Sequence, residues 1–319
     1  MNPLKTLAAG ALLALAAQHA AAQTWPDKPV RLVVPFPAGS ATDLAARVVG
    51  QQLQAAFGQP FVVDNKPGAG GNLAGSEVVR AAPDGYTLLF SSNSAVASNV
   101  ALLKNVPYDP LKDFTPVAGV GQNMLVLMVK PDFPARTLAE FVTQAKARPG
   151  KLNGGFGSSS SQVSIAMLNK LAGIETALVP YKGIPLAVND VVGGTLDFTF
   201  VDLGNALAQA KGGRLRAIAV TSERRNALAP DWPAIAESVP GFDITAWFAV
   251  VGPANMPKPV VDKLNGAITA IVERADAKER FAGIGLAPMP LAPDRLRAFI
   301  AAEITKWQRL VKEANVQPE

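Results

Sequence analysis

From Val30 onward, short continuous apolar runs alternate with longer segments in which apolar residues return every three or four positions. The first pattern belongs to strands buried on both faces, the second to helices that rest one face on a core. Val30–Pro35 reads as a buried strand and Leu44–Phe57 as a helix with Thr42 or Asp43 at its N-cap. Phe61–Asp64 is a second strand, Asn72–Ala81 a helix and Tyr86–Phe90 a third strand. A second series opens at Met124–Val129 and runs through helices at Leu138–Ala147 and Gln162–Leu171, with strands near Ala177, Phe198 and Ala217–Val220. Trp247–Val251 is another strand, and helical stretches over 257–273, 275–282 and 293–314 finish the chain. The strand–loop–helix repetition predicts an α/β fold with parallel sheets covered by helices on both faces. Two such series predict two domains, 23–122 together with 246–319, and 123–245, joined by crossings near 121–124 and 221–246. A ligand is then expected in the cleft between them, at the carboxyl ends of the strands.

The residues ahead of this pattern follow a different logic. Lys5 precedes an apolar run, Leu7–Ala17, and Ala20-Ala21-Ala22 offers the small residues that a signal peptidase reads. The run is about half of the ~20 apolar residues that span a bilayer. Residues 1–22 therefore predict an export signal cleaved after Ala22, and a periplasmic destination. The 319-residue chain contains no Cys and a single His, His19, which falls inside that segment. Its exported form would lack Ser–His–Asp and Cys–His catalysis, zinc sites built on His or Cys, and a lipoprotein anchor; no cofactor or metal is expected. Net charge is +5, with Lys and Arg scattered along the chain, and aromatic residues make up 7%. That is a mildly basic surface without a stacking platform, so nucleic acid is not an expected partner.

Candidate chemistry sits in four loops. Phe36-Pro37-Ala38-Gly39-Ser40-Ala41-Thr42-Asp43 follows a strand and opens a helix, where backbone N–H groups and the positive helix end face whatever lies above. Gly39 allows the tight turn, Ser40 and Thr42 add hydroxyl donors, and a carboxylate is the expected guest. Asn65-Lys66-Pro67-Gly68-Ala69-Gly70-Gly71-Asn72 is glycine-rich, but it lacks the Gly-Lys-Ser/Thr ending of a P-loop, and Leu73 stands where GxGxxG needs its third glycine. It reads as a compact turn that shapes the cleft through Gly70. Ser91-Ser92-Asn93-Ser94 and Gly157-Ser158-Ser159-Ser160-Ser161-Gln162 place small neutral donors at strand-to-helix junctions. Such donors hold a carboxylate without burying an unpaired cation.

Several ordered motifs carry a family resemblance. Trp25-Pro26-x-Lys28-Pro29-Val30-Arg31, Val34-Pro35-Phe36-x-Ala38-Gly39-x-x-Thr42-Asp43 and Asn65-x-Pro67-Gly68-Ala69-Gly70-Gly71-Asn72 come first. Ala82-Pro83-Asp84-Gly85-Tyr86-Thr87-Leu88-Leu89, Pro107-Tyr108-Asp109-Pro110, Val179-Pro180-Tyr181-Lys182-Gly183 and Ala219-Val220-Thr221-Ser222 follow. Together they resemble the Bug, or tripartite tricarboxylate transporter receptor, family of periplasmic solute-binding proteins. The resemblance implies a two-domain Venus-flytrap fold and no enzymatic activity. It also implies a small carboxylate ligand, an aliphatic or aromatic mono- or dicarboxylate, delivered by a monomeric receptor to a membrane permease. It implies further that Gly39–Asp43 hold one carboxylate, and that Ser91–Ser94, Ser158–Gln162, Tyr181-Lys182-Gly183 and Asp202 line the rest of the cleft. Ser40 and Ala41 replace glycines common in that first loop, and the Ser158–Ser161 run departs from the usual Gly/Asn/Ser/Thr pattern.

Two other readings remain open on the sequence. A sensor subunit that reports ligand to a membrane kinase would share the same pocket and differ only in its partner. A carboxylate-dependent enzyme would draw on Asp43, Asp84 or Asp202, and it needs two close carboxylates with divergent pKa values. Phe36, Phe156, Phe200, Trp247 and Phe248 are candidates for an aromatic wall, although aromatic residues at such spacing more often fill cores.

Overall fold

The computed structural model describes residues 25–318. The expected export signal, its cleavage site and His19 lie outside the described residues.

Ten strands form one curled sheet in the order β2–β1–β3–β9–β4–β7–β5–β6, with β10 and β8 pairing the two halves of β4. In the first half, β1 (Val30–Val34) lies between β2 (Phe61–Asn65) and β3 (Thr87–Ser92), all parallel. In the second half, β5 (Asn153–Phe156) lies between β6 (Ala177–Pro180) and β7 (Phe198–Asp202), again parallel. The fully parallel sheets expected from the sequence need correction here. β9 (Thr245–Pro253) runs antiparallel to β3 and to β4 (Phe114–Val129), while β10 (Ala287–Leu291) and β8 (Arg216–Val220) are antiparallel to β4. The strand–helix repetition specifies a crossover only within each parallel trio, and β4 enters without one. Its residues 114–124 pair with β9 and residues 125–129 with β7, so this 16-residue strand belongs to both halves.

Helices cover the sheet. α1 (Ala41–Phe57) packs beside α8 (Lys258–Glu273) and α9 (Ala275–Gly283) on one face of the first half, burying Val49, Leu53, Leu264, Ile268 and Phe281 with the strand residues Leu32 and Phe90. The other face is covered by α2 (Asn72–Val79), a π-turn at Ser94–Ser98 that runs into the short α3 (Asn99–Leu102), and α10 (Pro293–Glu313). Their core is continuous with that of the second half, where α4 (Leu138–Ala147), α5 (Ser159–Ala172), α6 (Ile184–Gly193) and α7 (Leu203–Lys211) pack around Phe141, Phe198 and Phe200. No described helix is long and apolar enough to cross a membrane.

Three local expectations change. The N-cap of α1 is Ser40, not Thr42 or Asp43: its backbone is extended and its Oγ accepts the Asp43 N–H at 3.3 Å, so the helix opens at Ala41. Ser91 and Ser92 end β3 instead of following it, and Ser159–Ser161 form the first turn of α5 behind the N-cap Ser158. Five elements had no counterpart in the sequence reading: β5, β10, α3, α6 and α7. The β5 run Asn-Gly-Gly-Phe has little strand propensity, yet a Cβ on Gly154 would collide with the Phe198 ring, so packing selects glycine there. β10 carries Pro288 and Pro290, which an edge strand tolerates because one side makes no ladder bonds.

Candidate functional site

The loops after the parallel strands of both halves meet at one place. β1 leads through Phe36–Ser40 into α1, β3 through Asn93 into the π-turn, and β5 through Gly157-Ser158 into α5. β6 leads through Tyr181–Gly183 into α6, while Asp202 ends β7 and opens α7. Phe36, Ser40, Ala41, Thr42, Ser92, Asn93, Ser158, Ser160 and Asp202 line an inner cavity of about 20 Å³. Gly157, Ile184, Ala246 and Phe248 complete its wall. The sequence reading placed Phe248 among wall candidates and Gly157 at the head of the serine loop, and it missed Ile184 and Ala246, which are apolar and carry no chemical signature. A neighbouring chamber of about 320 Å³ shares Phe36, Gly157 and Ser158 with the first and is lined further by Gly70, Phe156, Ser159, Gln162, Tyr181 and Lys182. Phe36 is thus a wall of both chambers. Of the other aromatic candidates, Phe200 and Trp247 are core residues.

The inner cavity is rich in donors. Ser40 caps only the Asp43 amide, so the buried Ala41 and Thr42 amides at the start of α1 have no hydrogen-bond acceptor among the described residues. α5 begins with a reciprocal cap between Ser158 and Ser161, and Ser160 of its first turn faces the same cavity. Ile184 at the start of α6 and Asp202 at the start of α7 line it too. Four helix N-termini, from both halves, converge on one small volume. Each contributes partial positive charge and free N–H groups, a combination that favours an anion.

Six expected site residues lie outside both chambers, each for a visible reason. Gly39 adopts φ +81°, a region that excludes most side chains, and its carbonyl accepts from Asn205 Nδ2 at 3.2 Å. Ser91 is fully buried and donates to the Ser92 carbonyl. Ser94 bonds Ser159 across the cleft at 2.8 Å, and Ser161 is used as a cap. Gly183 packs on Pro37, where an added Cβ would approach the ring to 2.5 Å. Asp43 is an internal tie: it accepts the Gly39 N–H at 2.9 Å and Asn65 Nδ2 at 3.0 Å, and it pairs with Arg47 at 2.9 Å. Asn65 Nδ2 also reaches the Phe36 carbonyl at 2.9 Å, so this cluster clamps both ends of the anion-facing loop.

Burial alone would raise the Asp43 pKa, but hydrogen bonds from Arg47, Gly39 and Asn65 outweigh it and hold the carboxyl below its ordinary value. A carboxyl lowered in the folded state adds stability at every pH above its unfolded value and loses it as pH falls through the folded one. Asp43→Asn is therefore expected to cost about 1–3 kcal/mol at pH 7. The penalty should shrink below about pH 4, where the unfolded carboxyl is protonated. Urea denaturation at pH 7 and pH 3 checks this; an equal loss at both would refute the tie.

Asp202 behaves differently. It is 7% exposed and lines the cavity, and burial pushes its carboxyl up to about 6, partly offset by Asn123 and its own amide. Asp84 sits in a surface turn, where it accepts the Tyr86 amide at 3.0 Å. With Asp43 tied to Arg47, the candidate acids supply no carboxylate pair at the cleft. In the outer chamber, the Tyr181 hydroxyl donates to Asp190 at 2.5 Å, which with burial pushes the phenol up to about 12. Lys182 lies exposed at its rim.

The halves also touch directly. Ser159 of α5 accepts from Ser98 Oγ at 2.6 Å and Asn93 Nδ2 at 3.2 Å, and Asn93 reaches Ser160 at 3.2 Å. Gly204 in α7 lies against the backbone of Ile284 and Gly285, in the turn that leads into β10.

Comparison with known proteins agrees with this architecture. The model of the tripartite tricarboxylate transporter family receptor matches residues 45–316. The chain is 36% identical to the protein BugT of Bordetella pertussis over 99% of both chains. Among solved structures, Rpa4515 of R. palustris with adipate superposes with a TM-score of 0.90 at 32% identity, covering 92% of this chain and all of that one. The periplasmic binding protein BugD gives 0.88 at 32% identity, over 92% of this chain and 100% of that one. MatC from Rhodopseudomonas palustris with bound malate gives 0.85 at 33% identity, over 90% of this chain and 100% of that one. A two-lobed α/β binding-protein fold, a donor-lined cleft without paired carboxylates and full-length similarity together place the chain in the tripartite tricarboxylate transporter receptor family, whose members are periplasmic solute-binding proteins and not enzymes.

Proposed function

We propose that this receptor captures a small carboxylate by closing its two lobes over it and presents the closed form, as a monomer, to the membrane permease of a tripartite carboxylate transporter. The lobes are 23–122 with 246–319, and 123–245. The observation that carries this reading is the convergence of four helix N-termini from both lobes on one cavity. An anion held there is stabilised by groups from each side, and so it favours the closed state over the open one. The bound adipate and malate of the two Rhodopseudomonas structures support the same ligand class. At about 20 Å³ the inner cavity admits little more than a water-sized group, so a solute enters by separation of the lobes. Its bulk then extends toward the chamber beyond Phe36.

A thermal-shift panel on protein stripped of co-purified ligand by unfolding and refolding tests this. It holds aliphatic di- and tricarboxylates, aromatic carboxylates, acidic amino acids, sugars and nucleotides. A ligand at one hundred times its Kd adds about 2.7 kcal/mol, or several degrees in Tm. A shift confined to carboxylates is the expected outcome. A response to sugars or nucleotides alone would overturn the anion reading.

A further inference from the structure

We propose that Asp202 reads a hydrogen-bond donor on the captured acid, so that the receptor selects hydroxy- or amino-substituted carboxylates over their unsubstituted counterparts. This rests on the carboxylate reading above and adds to it the chemistry of a second group on the solute.

Asp202 occupies the N-cap position of α7, where an aspartate ordinarily accepts amide hydrogen bonds from the first turn. Its side chain makes no capping bond. It also forms no salt bridge among the described residues, and it is more than nine-tenths buried while facing the inner cavity. The single side-chain bond it receives is long, 3.4 Å from Asn123 Nδ2. The same Asn123 leaves its own Oδ1 buried without a partner. Two side chains at the junction of the lobes are therefore short of donors.

The rest of the cavity has the opposite character. Ser40, Thr42, Ser92, Ser158 and Ser160 bring hydroxyls, and the starts of α1 and α5 bring N–H groups. An acid that lays its carboxylate on those donors meets an acceptor at Asp202. The complement of an acceptor is an O–H or N–H group, and a second ionised carboxylate there would meet like charge in a poorly solvated site. Burial raises the Asp202 carboxyl, and in either protonation state it keeps an acceptor oxygen for a donor on the ligand. A hydroxyl and an ammonium satisfy it equally in kind, and both suit the small inner space.

The test is titration calorimetry at pH 7.5 on the refolded full-length receptor, using matched acids. One series is succinate, malate and aspartate; the other is 3-phenylpropionate, phenyllactate and phenylalanine. We expect the donor-bearing member of the responding series to bind at least tenfold more tightly than the unsubstituted acid. Preference for the hydroxy or the amino member then tells the two sources of donor apart. Asp202→Leu, which keeps bulk but cannot accept, should reduce that gap to less than threefold. Should this variant fail to fold, the wild-type ratio still decides, and Asp202→Asn supplies a gentler comparison that should narrow the gap. Equal affinities within a series for wild type, or a gap unchanged in Asp202→Leu, would overturn the proposal while leaving carboxylate capture intact. If wild type bound none of these acids, and no acid stabilised it in the thermal panel, the carboxylate reading itself would fail and take this one with it.

Discussion

Gly204→Ala is expected to weaken ligand binding more than tenfold while leaving the melting temperature of the unliganded protein unchanged or slightly higher. The two effects have different origins. Gly204 lies in the first turn of α7 with an ordinary helical backbone, so alanine suits the helix better than glycine by roughly 0.5–1 kcal/mol. In the closed arrangement, however, its Cβ would fall inside the van der Waals envelope of the Ile284 carbonyl carbon and oxygen, which belong to the other lobe. These are backbone atoms and cannot step aside as a side-chain tip does. The lobe separation proposed for capture carries these backbone atoms away from Gly204, so the substitution is expected to tax the closed state. Calorimetry with the best ligand of the panel, together with thermal denaturation without ligand, reads both numbers. Wild-type affinity in the variant would show that the contact is not part of the ligand-bound state. A fall in unliganded stability would show that the lobes are already held together without ligand.

The second large effect concerns stability. Glu303 on α10 is 7% exposed, and its Oε2 accepts from Trp247 Nε1 at 2.7 Å and from Trp307 Nε1 at 3.1 Å. Both indoles are buried, Trp247 on β9 beside the cavity residue Phe248 and Trp307 on α10 itself. Removing the shared acceptor strands two N–H groups, each costing about 1–3 kcal/mol. Glu303→Ala is therefore expected to lose about 3 kcal/mol or more, with Tm falling by roughly 6–10 °C. Glu303→Gln retains an acceptor oxygen and should recover at least half of the loss. Urea denaturation followed by tryptophan fluorescence checks both variants. A loss below about 1 kcal/mol for Glu303→Ala would mean that the indoles find other partners.

How far the sequence foretold this molecule differs from residue to residue. The first parallel trio was legible because Val30–Val34 and Phe61–Val63 are largely β-branched or apolar runs flanked by Pro and Gly. β5 was not, because Gly154 answers to Phe198 and Gly155 to Leu196, partners more than forty positions away. α6 escaped notice for another reason: Pro185 reads as a breaker, yet it stands in the first helical turn, where its missing N–H is no loss. At the site, hydroxyl-rich loops announced donors, and ten of the thirteen inner-cavity residues came from those segments or from Asp202. Which members of each loop face inward was not legible. Asp43 and Thr42 are neighbours in sequence, but one is spent on Arg47 and Asn65 while the other looks into the cavity. Ala246 and Ile184 carry no polar signature, and only the folded chain brings them to the wall.

The long strand β4 has a bearing on how the receptor works as a moving part. It runs unbroken from one half of the sheet into the other, and at the junction it is laddered to β9, with Met124 opposite Thr245. Two hydrogen-bonded strands make a ribbon that flexes across its face but resists stretching along its length and shearing in its plane. Lobes hung on such a ribbon approach each other along one arc, not through a range of tilts. In the proposed capture cycle, closure then returns the serines of α5 to the same positions opposite Asn93. A permease that reads the proposed closed form would then meet the same face each time.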